Sequence, residues 1–245
     1  MIQFGTGGFR AVIGDDFTQA NVELLAQGLI NKMKAEGAEN SPLIIGYDRR
    51  FLSDIAAKWI SGVFAANGIH VQFINREAPT PLIMFVVKQA GALYGMAITA
   101  SHNPAEYNGV KVFTKGGRDA SKEVTNDLEG YINCLTAADV RTMPFDEGVK
   151  AGLIELIDPM NDYIDSILSF VDIDKIKAKK MRILLDPMFG VSKTSLQTIL
   201  LTCRCDVDVI NDRHDALFGG RLPSPSAKTL TRLSTMVVEG HYDLG

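Results

Sequence analysis

Ser101, His102, Asn103 and Lys111 are the residues whose types and spacing could do chemistry. The first three stand with Thr99 in a polar knot closed by Pro104, directly after the apolar run Leu93–Ile98. Asn108-Gly109 then turns the chain into a second strand that carries Lys111 between Val110 and Val112. Three readings compete. Ser, Asn and Asn-Gly are turn formers in their own right, so a plain polar turn explains each residue singly. A serine hydrolase would need a G-x-S-x-G elbow, which is missing, and adjacent side chains at 101 and 102 diverge rather than pair as nucleophile and base. Phosphoryl transfer needs a positioned hydroxyl, donors for the phosphate oxygens, cations and a divalent metal, and His102, Asn103 and Lys111 are the right types for the donors and the cation.

The elements that must position these groups alternate. Residues 18–36 set Val22, Leu25, Leu29 and Met33 on one helical face, with Gly37 as a stop. Leu43–Tyr47 reads as a strand, 54–66 as a helix, Ile69–Ile74 as a strand, 81–90 as a helix opened by prolines and Leu93–Thr99 as a strand. Strands separated by crossover helices predict an α/β fold with mixed, mainly parallel sheets and helices on both faces. In such a sheet ligands gather at the carboxyl ends of the strands, where Ser101 falls. The pattern fades over Ala137–Gly152 and restarts as helix Asn161–Phe170, strand Met181–Asp186, helix Ser192–Leu201, strand Asp206–Ile210, loop Phe218–Pro225 and helix Ala227–Glu239. Two domains are predicted, over 1–150 and 151–245. The basic run Lys175–Lys180 reads as a solvated helix face.

Composition removes several function classes. A net charge of −4 gives no footprint for nucleic acid. No apolar run reaches the roughly 18 residues of a membrane span, and MIQFGTGGFR has neither the basic start nor the apolar stretch of a signal peptide. Three cysteines make an odd, sparse set and point to a reducing, cytoplasmic setting. The scattered His70, His214 and His241 lack zinc-site spacing.

Taken whole, Thr99-Ala100-Ser101-His102-Asn103-Pro104 followed by Asn108-Gly109-Val110-Lys111 resembles the phosphoserine loop of the α-D-phosphohexomutases, the phosphoglucomutase and phosphomannomutase superfamily. Phe4-Gly5-Thr6-Gly7-Gly8-Phe9-Arg10 resembles the family's opening F-G-T-x-G-x-R, and Gly46-Tyr47-Asp48-Arg49-Arg50 its strand-end G-x-D-x-R. Phe218-Gly219-Gly220-Arg221-Leu222-Pro223 resembles the loop that precedes the family's metal site. The resemblance thus runs over essentially the full length.

The resemblance implies an isomerase acting as an intramolecular phosphotransferase. It would interconvert hexose 1-phosphate and hexose 6-phosphate through a bisphosphorylated sugar, with Mg2+ and a sugar bisphosphate primer. Ser101 would be the phosphoryl carrier and, through its phosphate, one metal ligand. Arg10, Lys111 and His102 would be its catalytic companions, and Thr6, Asn103 and Arg49 its phosphate or substrate contacts. Arg10 suits a bidentate phosphate contact, and a desolvated Lys111 suits proton transfer with a sugar hydroxyl. Hexose phosphate is the expected partner, with no nucleic acid and no membrane, and the choice of sugar stays open.

The sequence also departs from the family. The D-G-D-A-D-R loop that supplies three aspartate ligands would follow the strand resembled by His241–Gly245, and the last residue here is Gly245. Asp206, Asp208, Asp212 and Asp215 fall in a strand and its exit loop and do not replace it. The expectation is therefore an N-terminal portion with a truncated second domain, inactive alone. A non-catalytic pair of domains that binds phosphate or a partner is the alternative.

Overall fold

The structure is a computed structural model that describes residues 2–5 and 8–245. It divides into two compact units, residues 1–101 with 106–158 and residues 102–105 with 159–245.

In the first unit the elements follow as β1 (Phe9–Val12), α1 (Gln19–Ala35), β2 (Leu43–Tyr47), α2 (Ser53–Ala66), β3 (Val71–Glu77) and α3 (Thr80–Gln89). They continue as β4 (Tyr94–Ile98), β5 (Tyr107–Thr114), β6 (Arg118–Asp119), α4 (Lys122–Asn133), α5 (Phe145–Lys150) and β7 (Ile154–Ile157). The strands form one mixed sheet in the order β1-β5-β4-β2-β3-β7, with β6 beside β5. Strands β4, β2, β3 and β7 run parallel, whereas β5 lies antiparallel between β4 and β1. Strand β4 is therefore the seam between the parallel and antiparallel halves. The connection that turns the chain there is the Thr99–Glu106 loop.

Both faces of the sheet are covered, as alternation along the strands requires. Leu43, Ile45, Val71, Phe73, Met96, Ile98, Val110 and Val112 pack into one core with Val22, Leu25 and Leu29 of α1 and Ala56, Ile60 and Val63 of α2. The intervening positions face α3. Gly95 lets α3 come close, since a side chain there would collide with Val87.

Helix α1 starts on Thr18, whose hydroxyl accepts the Asn21 N–H at 3.3 Å, and ends with Lys32 and Lys34 in its last turn, where cations suit the helix dipole. Helix α4, which the sequence pattern did not single out, begins on Ser121 in the same manner and buries only Thr125, Leu128 and Ile132. Val124, Leu128, Tyr131 and Ile132 recur there at helical spacing, a signal present in the sequence. Within 137–152, read as loop, α5 is a six-residue helix behind Pro144, too short for the helical period to show.

The second unit holds α6 (Met160–Leu168), α7 (Ile173–Lys179), β8 (Arg182–Leu185), α8 (Lys193–Thr202), β9 (Asp206–Val209) and α9 (Thr231–Glu239). Strands β8 and β9 pair in parallel over a small core of Ile183, Cys203 and Cys205 with Leu168, Ile176 and Leu200. On the other side of β8, Leu184 N–H donates to the Leu244 carbonyl at 3.0 Å. Helix α9 starts four residues later than the sequence predicts. The preceding segment is a turn closed by Thr229, whose hydroxyl donates to the Ser224 carbonyl at 2.6 Å and accepts the Ser226 N–H at 2.9 Å. Among the described residues no helix is long and apolar enough to cross a membrane.

Candidate functional site

Ser101 lies three residues beyond the carboxyl end of β4, exposed, with φ at +57°. That left-handed conformation costs an L-residue with a side chain about 1–2 kcal/mol, and such strain concentrates where surrounding structure over-determines the backbone. Here it does. The Ser101 N–H donates to the Thr99 hydroxyl at 3.0 Å, and the Ser101 carbonyl accepts from the Arg50 guanidinium at 2.9 Å.

Arg50 is the centre of this arrangement. Its side chain is fully buried, and its second terminal nitrogen donates to the Tyr107 carbonyl at 3.0 Å. One planar fork thus holds both ends of the loop, the end leaving β4 and the end entering β5. Asp48, at the carboxyl end of β2, balances its charge at 3.5 Å. The same carboxylate accepts the Arg50 N–H at 2.9 Å and the Ser53 hydroxyl at 2.8 Å. Burial pushes the Asp48 carboxyl up from its ordinary range, while hydrogen bonds from Thr99, Arg50 and Ser53 and the Arg50 charge pull it back down. Burial likewise works against the charge on Arg50, and Asp48 works for it. The amide of buried Asn108 completes the network, donating to the Phe51 carbonyl at 2.9 Å and to Ser53 at 3.0 Å. Most of the donors and acceptors of this buried ionic pair are met in this way, while Arg50 Nε meets Asp48 only as an ion pair at 3.5 Å, beyond good hydrogen-bond geometry.

Pairing places Arg10 and Lys111 on one face. Arg10 lies opposite Gly109 of β5, and Gly109 lies beside Thr99, whose N–H donates to its carbonyl at 2.9 Å. Lys111 is two residues along β5, so it leaves the sheet on the same side, while Val110 and Val112 enter the core. Gly109 makes this possible. A Cβ there would collide with the Phe9 carbonyl oxygen, come within 2.9 Å of the Thr99 carbonyl and 3.1 Å of the Arg10 side chain. The Lys111 ammonium donates to Asp119 at 2.9 Å and lies 5.8 Å from the Phe113 ring centre. Asp119 sits on two-residue β6 after Gly116-Gly117, where no periodicity marks it.

The other sequence candidates fall as follows. His102 is exposed and Asn103 half-buried in the loop itself. Arg49 points away from the Arg50 clamp, in an ion pair with Glu77 at 2.6 Å at the end of β3. Thr6 lies outside the described residues. Arg50, the arginine of the G-x-D-x-R match, and not the candidate Arg49, is the one that holds the loop. Adjacent arginines look alike in sequence, but the bend that follows β2 sends one under the loop and the other to the rim.

Magnesium, which the sequence resemblance implies, needs several oxygen ligands converging at one point. Among the described residues no three carboxylate, histidine or cysteine groups converge as a metal site, so these residues do not by themselves make one.

Comparison with known proteins follows the same outline. Residues 1–139 match the model of phosphoglucomutase/phosphomannomutase, alpha/beta/alpha domain I, and residues 161–245 that of domain II. A phosphoglucosamine/phosphogalactosamine mutase of Sulfurisphaera tokodaii is 32% identical over 245 residues, covering 99% of this chain and 51% of that protein. A phosphoglucomutase/phosphomannomutase of Thermococcus kodakarensis is 27% identical over 242 residues, covering 99% of this chain and 52% of that one. A crystal structure assigned as a phosphomannomutase of Thermus thermophilus superposes with a TM-score of 0.85 at 29% identity, over 96% of this chain and 52% of that chain. The chain spans about half the length of the curated relatives it matches.

Proposed function

The chain belongs to the phosphoglucomutase/phosphomannomutase family, and on that premise we propose that Ser101 carries the phosphoryl group in interconversion of hexose 1- and 6-phosphates. The observation that carries this reading is the double anchorage of Ser101, its N–H on Thr99 and its carbonyl on Arg50. The backbone is fixed on both sides while the residue stays exposed, which pre-organises a hydroxyl for transfer.

In this reading the substrate hydroxyl attacks phosphorus, forming one O–P bond as the Ser101 Oγ–P bond breaks. Lys111, as an ammonium, gives a proton to the departing serine oxygen and takes the one lost by the attacking hydroxyl, so no net proton leaves. Asp119 orients it. The bisphosphorylated sugar then turns over and returns its other phosphoryl group to Ser101 by the same step in reverse. A phosphoserine brings a charge of about −1.5 to −2 to the loop. Arg10, on the same sheet face as Lys111, is assigned to it, together with His102, Asn103 and Thr6. Arg49 is assigned to the substrate rim. Magnesium and a bisphosphate primer belong to the reading, with the Ser101 phosphate as one ligand. Because these residues do not complete a metal site, the 245 residues assayed alone are proposed to give no turnover. A cytoplasmic setting belongs to the same reading, supported by the sparse, odd cysteine count.

The relatives divide between amino sugar and neutral sugar phosphates, so the test uses both. Glucose 1-phosphate, mannose 1-phosphate and glucosamine 1-phosphate are offered, with magnesium and glucose 1,6-bisphosphate, to the full-length gene product and to residues 1–245. Conversion by the gene product that disappears in Ser101→Ala supports the reading. Conversion that survives Ser101→Ala overturns it. The absence of a converging ligand cluster among the described residues favours one second reading for residues 1–245 taken alone, a non-catalytic unit that binds phosphate or a partner.

A further inference from the structure

The second unit contains a cleft of about 490 Å³, lined by Phe189, Asn211, Asp212, Arg213, Arg221 and Arg232 with Gly219. It lies where ligands collect in α/β sheets, since Phe189 follows β8, Asn211 to Arg213 follow β9, and Arg232 stands in the first turn of α9. Its volume falls in the range of small-molecule sites, roughly 300–1,000 Å³.

Its charge is lopsided. Three guanidinium groups line the cleft against one carboxylate, and that carboxylate, Asp212, is already bonded to Lys193. The Arg213 and Arg221 guanidiniums lie 5.8 and 5.5 Å from the centre of the Phe189 ring, within cation–π range of one aromatic group. Arg221 is steadied further by donating to the Thr229 carbonyl at 2.9 Å. Its nearest carboxylate, Asp186, is 3.9 Å away. Asp186 spends its oxygens on the Met188 N–H and the Asn211 amide, each at 2.8 Å. Arg213 shares Asp215 with two backbone N–H groups at 3.0 and 3.3 Å. Arg232 donates to the Asn211 side-chain amide oxygen at 3.1 Å, and no carboxylate pairs with it among the described residues. With Arg213 and Arg221 each sharing a carboxylate that has other partners and Arg232 having none, the three forks leave net positive charge in the cleft for a doubly charged phosphate.

We propose that this cleft binds a phosphomonoester, its phosphate held by Arg213, Arg221 and Arg232. The site is built wholly from second-unit residues and stands or falls independently of the role of Ser101. Free inorganic phosphate and a sugar phosphate share the required chemistry.

The arginine Nε–H resonances of the 245-residue chain report each guanidinium separately. The chain is titrated with inorganic phosphate, with glucose 6-phosphate and with glucose. The expected result is saturable shifts at Arg213, Arg221 and Arg232 with a Kd at or below about 1 mM for one or both phosphate ligands and none for glucose. Tighter binding of glucose 6-phosphate makes the occupant a sugar phosphate, and equal binding makes it phosphate itself. Arg232→Gln, at an exposed helix position, should weaken binding on the order of tenfold or more by removing a charge-assisted bond, whereas Arg10→Gln leaves it unchanged. If Arg232→Gln unfolds, Arg213→Gln carries the same expectation. No saturable shift at these arginines, or binding lost in Arg10→Gln and kept in the cleft variants, overturns the proposal.

Discussion

The Arg50 guanidinium donates to the Ser101 carbonyl oxygen at 2.9 Å from a position where its own side chain is fully buried. The strained serine is therefore held from beneath by a charge that cannot leave, because Asp48 and the Tyr107 carbonyl hold that charge in turn. The geometry of the loop is a property of the junction between β2 and α2 as much as of the loop residues.

Replacing Arg50 by Met should cost about 3–5 kcal/mol, the usual result of breaking a buried ion pair and leaving its partner uncompensated. Arg50→Lys should cost less but still free the loop, since a point charge cannot span two carbonyls. Urea midpoints give the first quantity, and faster amide exchange at 101–107 gives the second. Unchanged exchange in Arg50→Lys would remove the clamp from the account.

At Ser101 the two smallest substitutions should part company. With φ at +57°, Ser101→Gly should be more stable than Ser101→Ala by about 1 kcal/mol, because glycine alone enters this region without strain. Equal thermal midpoints would mean that the loop relaxes on its own.

Gly109→Ala should destabilise the first unit by about 2 kcal/mol or more, since the added methyl meets the Phe9 and Thr99 backbone rather than a flexible side chain. Unfolding with an unchanged midpoint would show that the three strands can part there without penalty.

Alkaline behaviour of the first unit should trace to a cluster on α1 and β4. The Tyr94 hydroxyl donates to Glu36 at 2.7 Å, and burial, then that bond, pushes its pKa up from 10.0. Burial works against the charge on Lys32, but bonds to Asp127 and Glu36 outweigh it and raise its pKa above 10.5. Both groups hold their protons more tightly folded than unfolded. Their contribution is therefore complete below the ordinary values, 10.0 and 10.5, and is lost as pH rises beyond them. Tyr94→Phe should cost about 1 kcal/mol at pH 8 and flatten the fall in stability above about pH 10. An identical fall in the variant would contradict this.

Much of the site was legible in the sequence because it depends on local order. The apolar run before Thr99, the polar loop and the valines flanking Lys111 specify a strand, a turn and a strand with the lysine on the outer face, and the structure has them so. Partner choice was not legible. Arg49 and Arg50 both lie in the bend after β2, and which of them turns under the loop is set by distant partners, the Ser101 and Tyr107 carbonyls for Arg50 and Glu77 for Arg49. The Lys111–Asp119 pair depends on β6, two residues long and placed by a Gly-Gly turn. Helix α4, by contrast, was legible, since Val124, Leu128, Tyr131 and Ile132 recur at helical spacing behind the Ser121 cap.

Whether Ser101 carries the phosphoryl group can be read from a single labelling measurement. The full-length gene product is incubated with magnesium and glucose 1,6-bisphosphate carrying labelled phosphoryl groups, digested, and mapped by mass spectrometry. Label is expected on the peptide containing Ser101, at the serine oxygen, and none in Ser101→Ala. Label on another residue, or sugar phosphate interconversion by an unlabelled protein, would contradict it.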